Sequence, residues 1–287
     1  MTTERPVRKR HTAQKILSAL LILCAVSLLL SHFGLSVTRY DISSARLPED
    51  FDGFRIVQLS DLHGMEFGKD NARLVQKVAF EKPDLIALTG DFLDEDRAEQ
   101  ELGELAALLP QLTAIAPVYF VSGNHDWASG ELNQLSALLK KAGACYLRNE
   151  YIAVERGESR IVLCGAEDPN GWAGQIAPDD LCGEANAAYP DCFVLLLGHR
   201  NFWSAAYPDI AADLILCGHG HGGVIRLPFA GGVLGTEHNL FPEFDAGQFA
   251  CGRGSMIVSR GLGGNGVLLP LRFGNTPEIV TVILHSA

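Results

Sequence analysis

Short apolar runs alternate in this chain with longer stretches whose apolar positions recur every three or four residues. Arg55–Ser60 (RIVQLS), Asp84–Thr89 (DLIALT) and Val118–Ser122 (VYFVS) have the length and β-branched content of buried strands. Between them, Leu74, Val75, Val78 and Ala79 predict a helix over Asn71–Phe80. An Ala/Leu-rich stretch predicts a second helix, Ala98–Leu109, ended by Pro110. A third, Leu132–Lys141, closes at Gly143. A β-α-β-α-β-α order implies a mostly parallel sheet.

The middle of the chain changes character. Ala144–Leu147, Tyr151–Glu155 and Arg160–Cys164 are short strands at hairpin spacing, and Pro178–Tyr189 is a helix. Phe193–Leu197 and Asp213–Cys217 are again buried strands, with a helical segment between them. The last third is Gly-rich, with strands expected at Val224–Leu227, Ser255–Ser259 and Glu278–Leu284. Two mixed sheets packed face to face, with helices outside, account for a chain that begins α/β and ends rich in β-structure.

The N-terminus has a pattern of its own. Arg5, Arg8, Lys9, Arg10 and Lys15 precede an apolar run from Ile16 to Leu30. The run suits a short spanning helix or the core of a signal peptide. No small-x-small cleavage site follows Leu30, which favours an uncleaved anchor over a cleaved signal or a peripheral helix. Basic residues on its N-terminal side would stay in the cytoplasm, placing the body of the protein outside. The expected organisation is therefore an anchor (1–33), a polar linker with a lead-in strand (34–53) and a catalytic domain (54–287).

Charge sharpens this picture. The chain carries −11 overall, but residues 1–33 hold five basic residues and one acidic. The remainder has 18 basic against 33 acidic residues, a net of −15. Such a body argues against a nucleic-acid partner. A small phosphorylated substrate stays compatible, because bound cations can dominate the local field. The seven cysteines do not form a disulfide framework. Cys164 and Cys217 fall in core strands, only Cys182 and Cys192 are spaced to pair, and there is no C-x-x-C.

Five short blocks carry the chemistry. They are Asp61-Leu62-His63, Gly90-Asp91, Gly123-Asn124-His125-Asp126, Gly198-His199 and Gly218-His219-Gly220-His221, and each follows one of the strand runs. They contain five of the nine histidines. Ligands in open α/β sheets bind at the carboxyl ends of strands, so Asp, His, Asp, Asn and three further His at successive strand ends build one site. Asp61 and His63, at i and i+2, point the same way if the backbone is extended, and His219 and His221 repeat the spacing. The two oxygens of Asp91 can bridge two cations. Seven ligands with one shared make two incomplete shells of four, leaving room for water and substrate. Nitrogen and oxygen donors without thiolate suit Mn, Fe, Zn or Ni. Two such ions can hold a hydroxide nucleophile and clamp an in-line phosphoryl displacement. His125, beside a ligand but not needed as one, can protonate the leaving oxygen. Any one block alone is commonplace: a lone Asp-x-His is a surface pair, and Gly-Asn-His-Asp is a turn. All five in this order are not.

The same order and spelling resemble the calcineurin-like metallophosphoesterases, whose pattern runs D-x-H, G-D, G-N-H-[DE], H, then G-H-x-H. The likeness spans residues 54–284. The tail, with Gly-His-Gly-His-Gly-Gly, Val258–Gly263, Leu271-Arg272-Phe273 and Pro277-Glu278-Ile279, resembles the membrane-anchored or exported bacterial phosphodiesterase-like branch. The resemblance implies a four-layer α/β/β/α sandwich. It also implies one metal on Asp61, His63, Asp91 and His221, and a second on Asp91, Asn124, His199 and His219. His125 would be the catalytic histidine. One departure stands out. That branch usually shows His-Asn-Pro-Asp at the fourth block, where this chain has His199-Arg200-Asn201-Phe202. Arg200 could grip a second phosphate or lie at the surface. Trp127 could stack on a substrate or simply pack, and His238 could line the mouth or be a surface histidine.

The expected function is a dinuclear metal-dependent phosphoesterase. It would act as a phosphodiesterase or pyrophosphatase, by metal-bound hydroxide attack, on a membrane- or envelope-associated substrate such as a lipid-linked one. The alternatives are a phosphomonoesterase of broad specificity and a metal-binding interaction module.

Overall fold

Side-chain parity decides which layer each strand of this protein serves. The computed structural model describes residues 7–172, 174–236, 238–264 and 272–287, with residues 7–13 described by backbone alone. Leu271 of the tail motif and Arg5 of the basic N-terminus lie outside the described residues.

Helix α1 (Val7–Phe33) leads into β1 (Ser36–Ser44). Then come β2 (Arg55–Leu59), α2 (Ala72–Glu81), β3 (Leu85–Thr89), α3 (Ala98–Thr113), β4 (Val118–Val121), α4 (Asn124–Ala128), α5 (Leu132–Ala142) and β5 (Cys145–Tyr146). The second half holds β6 (Glu150–Arg156), β7 (Ser159–Gly165), α6 (Pro178–Ala188), β8 (Val194–Leu197), α7 (Trp203–Ala206) and β9 (Leu214–Cys217). It ends with β10 (Ile225–Leu227), β11 (Gly231–Leu234), β12 (Gly247–Cys251), β13 (Gly254–Val258) and β14 (Glu278–Ser286).

Two six-stranded mixed sheets result, in the orders β1-β14-β2-β3-β4-β5 and β12-β13-β9-β8-β7-β6, beside a small β10-β11 hairpin. The parallel pairs β2-β3-β4 and β7-β8-β9 lie near the middle of each sheet, where both faces are covered. Alternation then sorts the side chains. Leu195 and Leu197 of β8 point between the sheets, onto Ile56, Leu85, Val121, Ile257, Val280 and Val282. Val194 and Leu196 of the same strand point outward, under Leu181, Cys182 and Ala185 of α6 and Trp203 of α7. On the other sheet, Val57, Leu59, Ile86 and Leu88 face outward beneath α2, α3 and α5. The architecture is the α/β/β/α sandwich expected.

Two features depart from the sequence pattern. Helix α3 does not stop before Pro110 but runs to Thr113, with Pro110 inside it. Proline removes one hydrogen bond, yet Leu108, Leu109 and Leu112 are all buried against the sheet, and that packing carries the helix past the break. The lead-in strand expected within residues 34–53 is Ser36–Ser44, a nine-residue edge strand paired in parallel with β14. The strands β11 and β12 were not expected, because glycine at Gly231, Gly232 and Gly247 blurs the alternation. Cys182 and Cys192 do not pair, and all seven thiols are free.

Truncating Leu195, fully buried between the sheets, removes apolar contact from both. Leu195→Ala should lower stability by about 2–5 kcal/mol, read as a reduced denaturation midpoint of the full chain in detergent.

Candidate metal centre

Strands β2, β3, β4, β8 and β9 end side by side across the two sheets, and each hands the chain to one of the five blocks. Backbone hydrogen bonds lock the ends together. Asp61 N donates to Gly90 O (2.9 Å), His63 N to Asp91 O (3.2 Å) and Gly218 N to His199 O (2.9 Å). The Asp126 carboxylate accepts from the backbone N–H groups of Asp91 (2.8 Å), Phe92 (2.9 Å), Leu93 (3.0 Å) and Gly123 (2.8 Å), fixing the β3 and β4 loops on one another.

The extended geometry expected at i and i+2 is not found. Asp61 (φ 51°), His63 (φ 46°), Asp91 (φ 55°), His219 (φ 65°) and His221 (φ 47°) all lie in the left-handed region. A non-glycine residue there is strained, and such strain collects where surrounding contacts over-determine a functional geometry. The chain has left the strand by Asp61, so it is the kink, not the pleat, that aims these side chains inward. Glycine is required between them. A Cβ on Gly218 would stand 2.3 Å from Asp61 Oδ2, and one on Gly90 2.7 Å from His199 Nδ1.

The kinks bring two groups of donors together. Asp61, His63 and His221 place ligand atoms within 4.8 Å of one another, as do Asp91, His199 and His219. Asp91 joins the groups, its Oδ2 lying 2.9 Å from His199 Nε2 and 3.8 Å from His63 Nε2. Asn124 heads α4, and its Oδ1 is buried with no hydrogen-bond partner. His63 Nε2, Asp91 Oδ2 and His199 Nε2 are equally buried and equally unpartnered. The 2.9 Å contact between His199 and Asp91 is thus a close approach without hydrogen-bond geometry. Buried polar atoms without partners are expensive, and divalent cations at these two points would satisfy all four. The donor set is nitrogen and oxygen only, as Mn, Fe, Zn and Ni accept.

The remaining imidazole nitrogens are held from behind, which turns the free nitrogen inward. His63 Nδ1 meets Asp94 Oδ1 at 2.5 Å, and His199 Nδ1 meets Thr89 O at 2.9 Å. Burial opposes protonation of His63, but the Asp94 hydrogen bond and the charges of Asp91 and Asp61 prevail and raise it to about 9. His199 is likewise raised to about 10, burial being outweighed by Asp91. His219 is lowered to about 2 by burial and by the charges of His199 and Arg200, and His221 to about 4, chiefly by burial. Asp91 is held ionised: the neighbouring His199 and His63 charges overcome burial.

His125 stands at the rim, its ring 5.0 Å from that of His63 and its side chain 24% exposed. Its Nδ1 lies 3.9 Å from Asp94 Oδ1 and 3.6 Å from Glu95 Oε1. It opens into a cavity of about 600 Å³ that Arg97, Glu95 and His32 also line. A second cavity, of about 260 Å³, opens at His219 between Asn201, Phe202, Asn239 and Phe244.

The outlying candidates fare differently. Arg200 is nearly buried, and its guanidinium grips Asp168 with two prongs (2.6 and 3.0 Å) while Nη1 lies 3.0 Å from His219 Nε2. It braces a donor of the centre rather than facing outward. Trp127 donates its indole N–H to Ser122 Oγ (2.9 Å) and packs edge-on against Trp172. His238 is exposed; its neighbours Thr236 and Asn239 line the smaller cavity, and it does not.

Sequence reasoning missed three residues. Asp94 sits three positions after Asp91 and touches both His63 and His125; a second acid just past a strand-end acid was the available signal. Asp168 and Asn275 gave no signal. Asn275 Nδ2 donates to the carbonyls of His221 (2.6 Å) and Gly223 (2.7 Å), clamping the loop that bears His219 and His221.

A family model described as calcineurin-like phosphoesterase matches residues 54–223, more than half of the chain. The uncharacterized metallophosphoesterase YkuE of Bacillus subtilis (strain 168) is 30% identical over 255 residues, covering 88% of this chain and 86% of that one. The phosphodiesterase YaeI of Escherichia coli (strain K12) is 32% identical, covering 80% and 82%. The UDP-2,3-diacylglucosamine pyrophosphatase LpxG of Chlamydia trachomatis is 28% identical, covering 87% and 90%.

Two outcomes follow from the geometry. The raised His63 and His199 are protonated at neutral pH in the metal-free protein, so a cation must displace their protons. Metal affinity should rise with pH until it passes about 9–10, and fall below it. Calorimetric titration in buffers of different ionisation enthalpy should show proton release on binding. Arg200→Ala strands the buried Asp168 charge and should destabilise the chain by about 3–5 kcal/mol, measured by denaturant unfolding.

Proposed function

This chain belongs to the calcineurin-like phosphoesterase family, and on that premise we propose that it cleaves a phosphodiester or pyrophosphate bond in a membrane- or envelope-associated substrate. The observation that carries the proposal is the pair of donor groups joined at Asp91, with their four unpartnered buried atoms. Asp61, His63, Asp91 and His221 would hold one ion; Asp91, Asn124, His199 and His219 would hold the other. Bound there, two divalent ions supply Lewis acidity at the phosphoryl oxygens and a nucleophile at neutral pH.

The protein's own residues do the rest. Asp94 fixes the orientation of His63, and Asp126 fixes the loops of Asp91 and Asn124 relative to one another. His125 is the acid. Asp94 and Glu95 sit on its Nδ1 side, which leaves Nε2 for the leaving oxygen in the larger cavity. The phosphodiesterase and pyrophosphatase names of two relatives support the bond class.

Support for the membrane setting comes from α1. Its Gln14–Phe33 segment has the length and apolar composition to cross a bilayer, and Leu20, Leu21, Ile22 and Leu23 are more than half exposed. We place the catalytic domain outside the cell membrane, because the basic residues precede the helix.

Hydrolysis of bis(p-nitrophenyl) phosphate and p-nitrophenyl phosphate by the full chain tests this, with metal-stripped protein compared against protein reloaded with Mn, Zn, Ni or Fe. Turnover should depend on metal and favour the diester. His125→Ala should lose about 10²–10⁴ in kcat while keeping its metal. Asp91→Ala should lose bound metal and turnover together. Full activity of Asp91→Ala, or a metal-independent rate, would overturn the assignment.

A further inference from the structure

The hairpin β10-β11 and the strand-like segment beside it carry apolar side chains into solvent. Leu227 is 45% exposed, Leu240 69% and Phe241 63%, and Phe229, at the hairpin tip, is fully exposed. The stretch Leu227–Leu234 contains no charged residue. Phe229 (φ 69°) and Phe241 (φ 52°) also adopt left-handed backbone, which a bulky residue avoids. An exposed aromatic in a strained conformation adds nothing to the core, so the fold does not account for it.

The hairpin is tied to α1. Arg226 N donates to Phe273 O (2.9 Å) and Phe273 N to Val224 O (3.1 Å), so residue 273 joins the hairpin as a third strand position. The next two amides cap serines of the helix: Gly274 N donates to Ser27 Oγ and Asn275 N to Ser31 Oγ, each at 3.0 Å. Ser27 lies six residues before the helix end at Phe33, about 9 Å back along its axis. The hairpin is therefore fixed beside a level of the helix that would lie inside the bilayer if Gln14–Phe33 spans it. An amphipathic surface buries its apolar side about 5–10 Å into the boundary of headgroups and acyl chains, the same depth.

We propose that Leu227, Phe229 and the adjoining Leu240 and Phe241 form a membrane-inserting surface whose partner is the lipid bilayer. The inference rests on the reading of α1 as a membrane anchor and deepens it: the domain is not tethered at a distance but seated on the lipid. His32, one residue from the helix end, lines the larger cavity beside His125. Seating the hairpin thus holds that cavity at the headgroup layer, where an amphiphilic phosphodiester or pyrophosphate reaches it without leaving the membrane.

Depth-dependent quenching tests the proposal on the full chain in nanodiscs of phosphatidylcholine and phosphatidylglycerol. The exposed Cys145 and half-buried Cys192 are replaced by Ser, and one site at a time carries an environment-sensitive fluorophore. The three sites are native Cys24 in the anchor, Phe229→Cys, and Lys141→Cys at the end of α5 remote from the site, the latter two with Cys24→Ser. Lipids bearing a quencher on the acyl chain should dim the probes at 229 and 24 and leave 141 unchanged. Loss of emission at 24 with none at 229 overturns the hairpin surface and leaves the anchor standing. No loss at 24 or 229 overturns both. Equal loss at 229 and 141 overturns the hairpin proposal as well.

Discussion

Charge brought out of water has to be answered, and the centre of this protein gathers more of it than its own side chains can answer. Asp61, Asp91, His63 and His199 are all essentially buried, within reach of one another. Every local oddity follows from that convergence. Asp61, His63, Asp91, His219 and His221 accept left-handed backbone to aim inward. Glycines stand wherever a Cβ would displace a carboxylate or an imidazole. Four buried donor atoms keep no hydrogen-bond partner. A protein tolerates such a cluster when cations complete it, and the rest of the sandwich serves to hold it open for them.

The holding is done by layers of ordinary interactions. The two sheets supply apolar cores on both faces, so the strand ends cannot drift. Gln58, buried between the sheets, donates to Thr89 Oγ1 (2.9 Å) and Cys217 O (2.8 Å), bridging β3 and β9 where they lead into Asp91 and His219. The tail closes the far side: Leu262 N donates to Ser60 O (3.0 Å) and Gly263 N to Asp61 O (2.6 Å). Arg272 reaches the carbonyls of Gly263 and Arg260, and Asn275 those of His221 and Gly223. Specific donors on a rigid frame, rather than loops free to adjust, keep the two groups at a fixed separation.

Much of this was legible because it depends on patterns that local physics imposes. Strands buried on both faces read as near-continuous apolar runs, and ligands cluster at their carboxyl ends. RIVQLS followed by Asp61 and His63 therefore announced both an element and a function. What escaped depends on contacts distant in sequence. Nothing near Pro110 says that Leu112 will find a pocket and carry α3 onward. The extended reading of Asp61 and His63 placed the right residues together for the wrong reason, since the kink is imposed by neighbours on β3 and β9. Arg200 was open between a phosphate grip and a surface position because its partner, Asp168, lies 32 positions away in a segment without a motif. Exposed apolar residues at the hairpin were hidden inside a glycine-rich stretch whose alternation is weak.

The last strand has a consequence for how this molecule comes into being. β14 lies between β1 and β2, and all nine residues of β1 pair with β14. The link joins distant positions, Ser36 and Pro277 being 241 residues apart. Until that segment has been made, β1 has no strand neighbour, and the edge of β2 that β14 will cover stays open. Contacts of such span are slow to form, and unpaired edges invite association with other chains. Completion of the first sheet is thus a late event, and a product cut short before residue 278 would hold the strand-end donors on a sheet that cannot close.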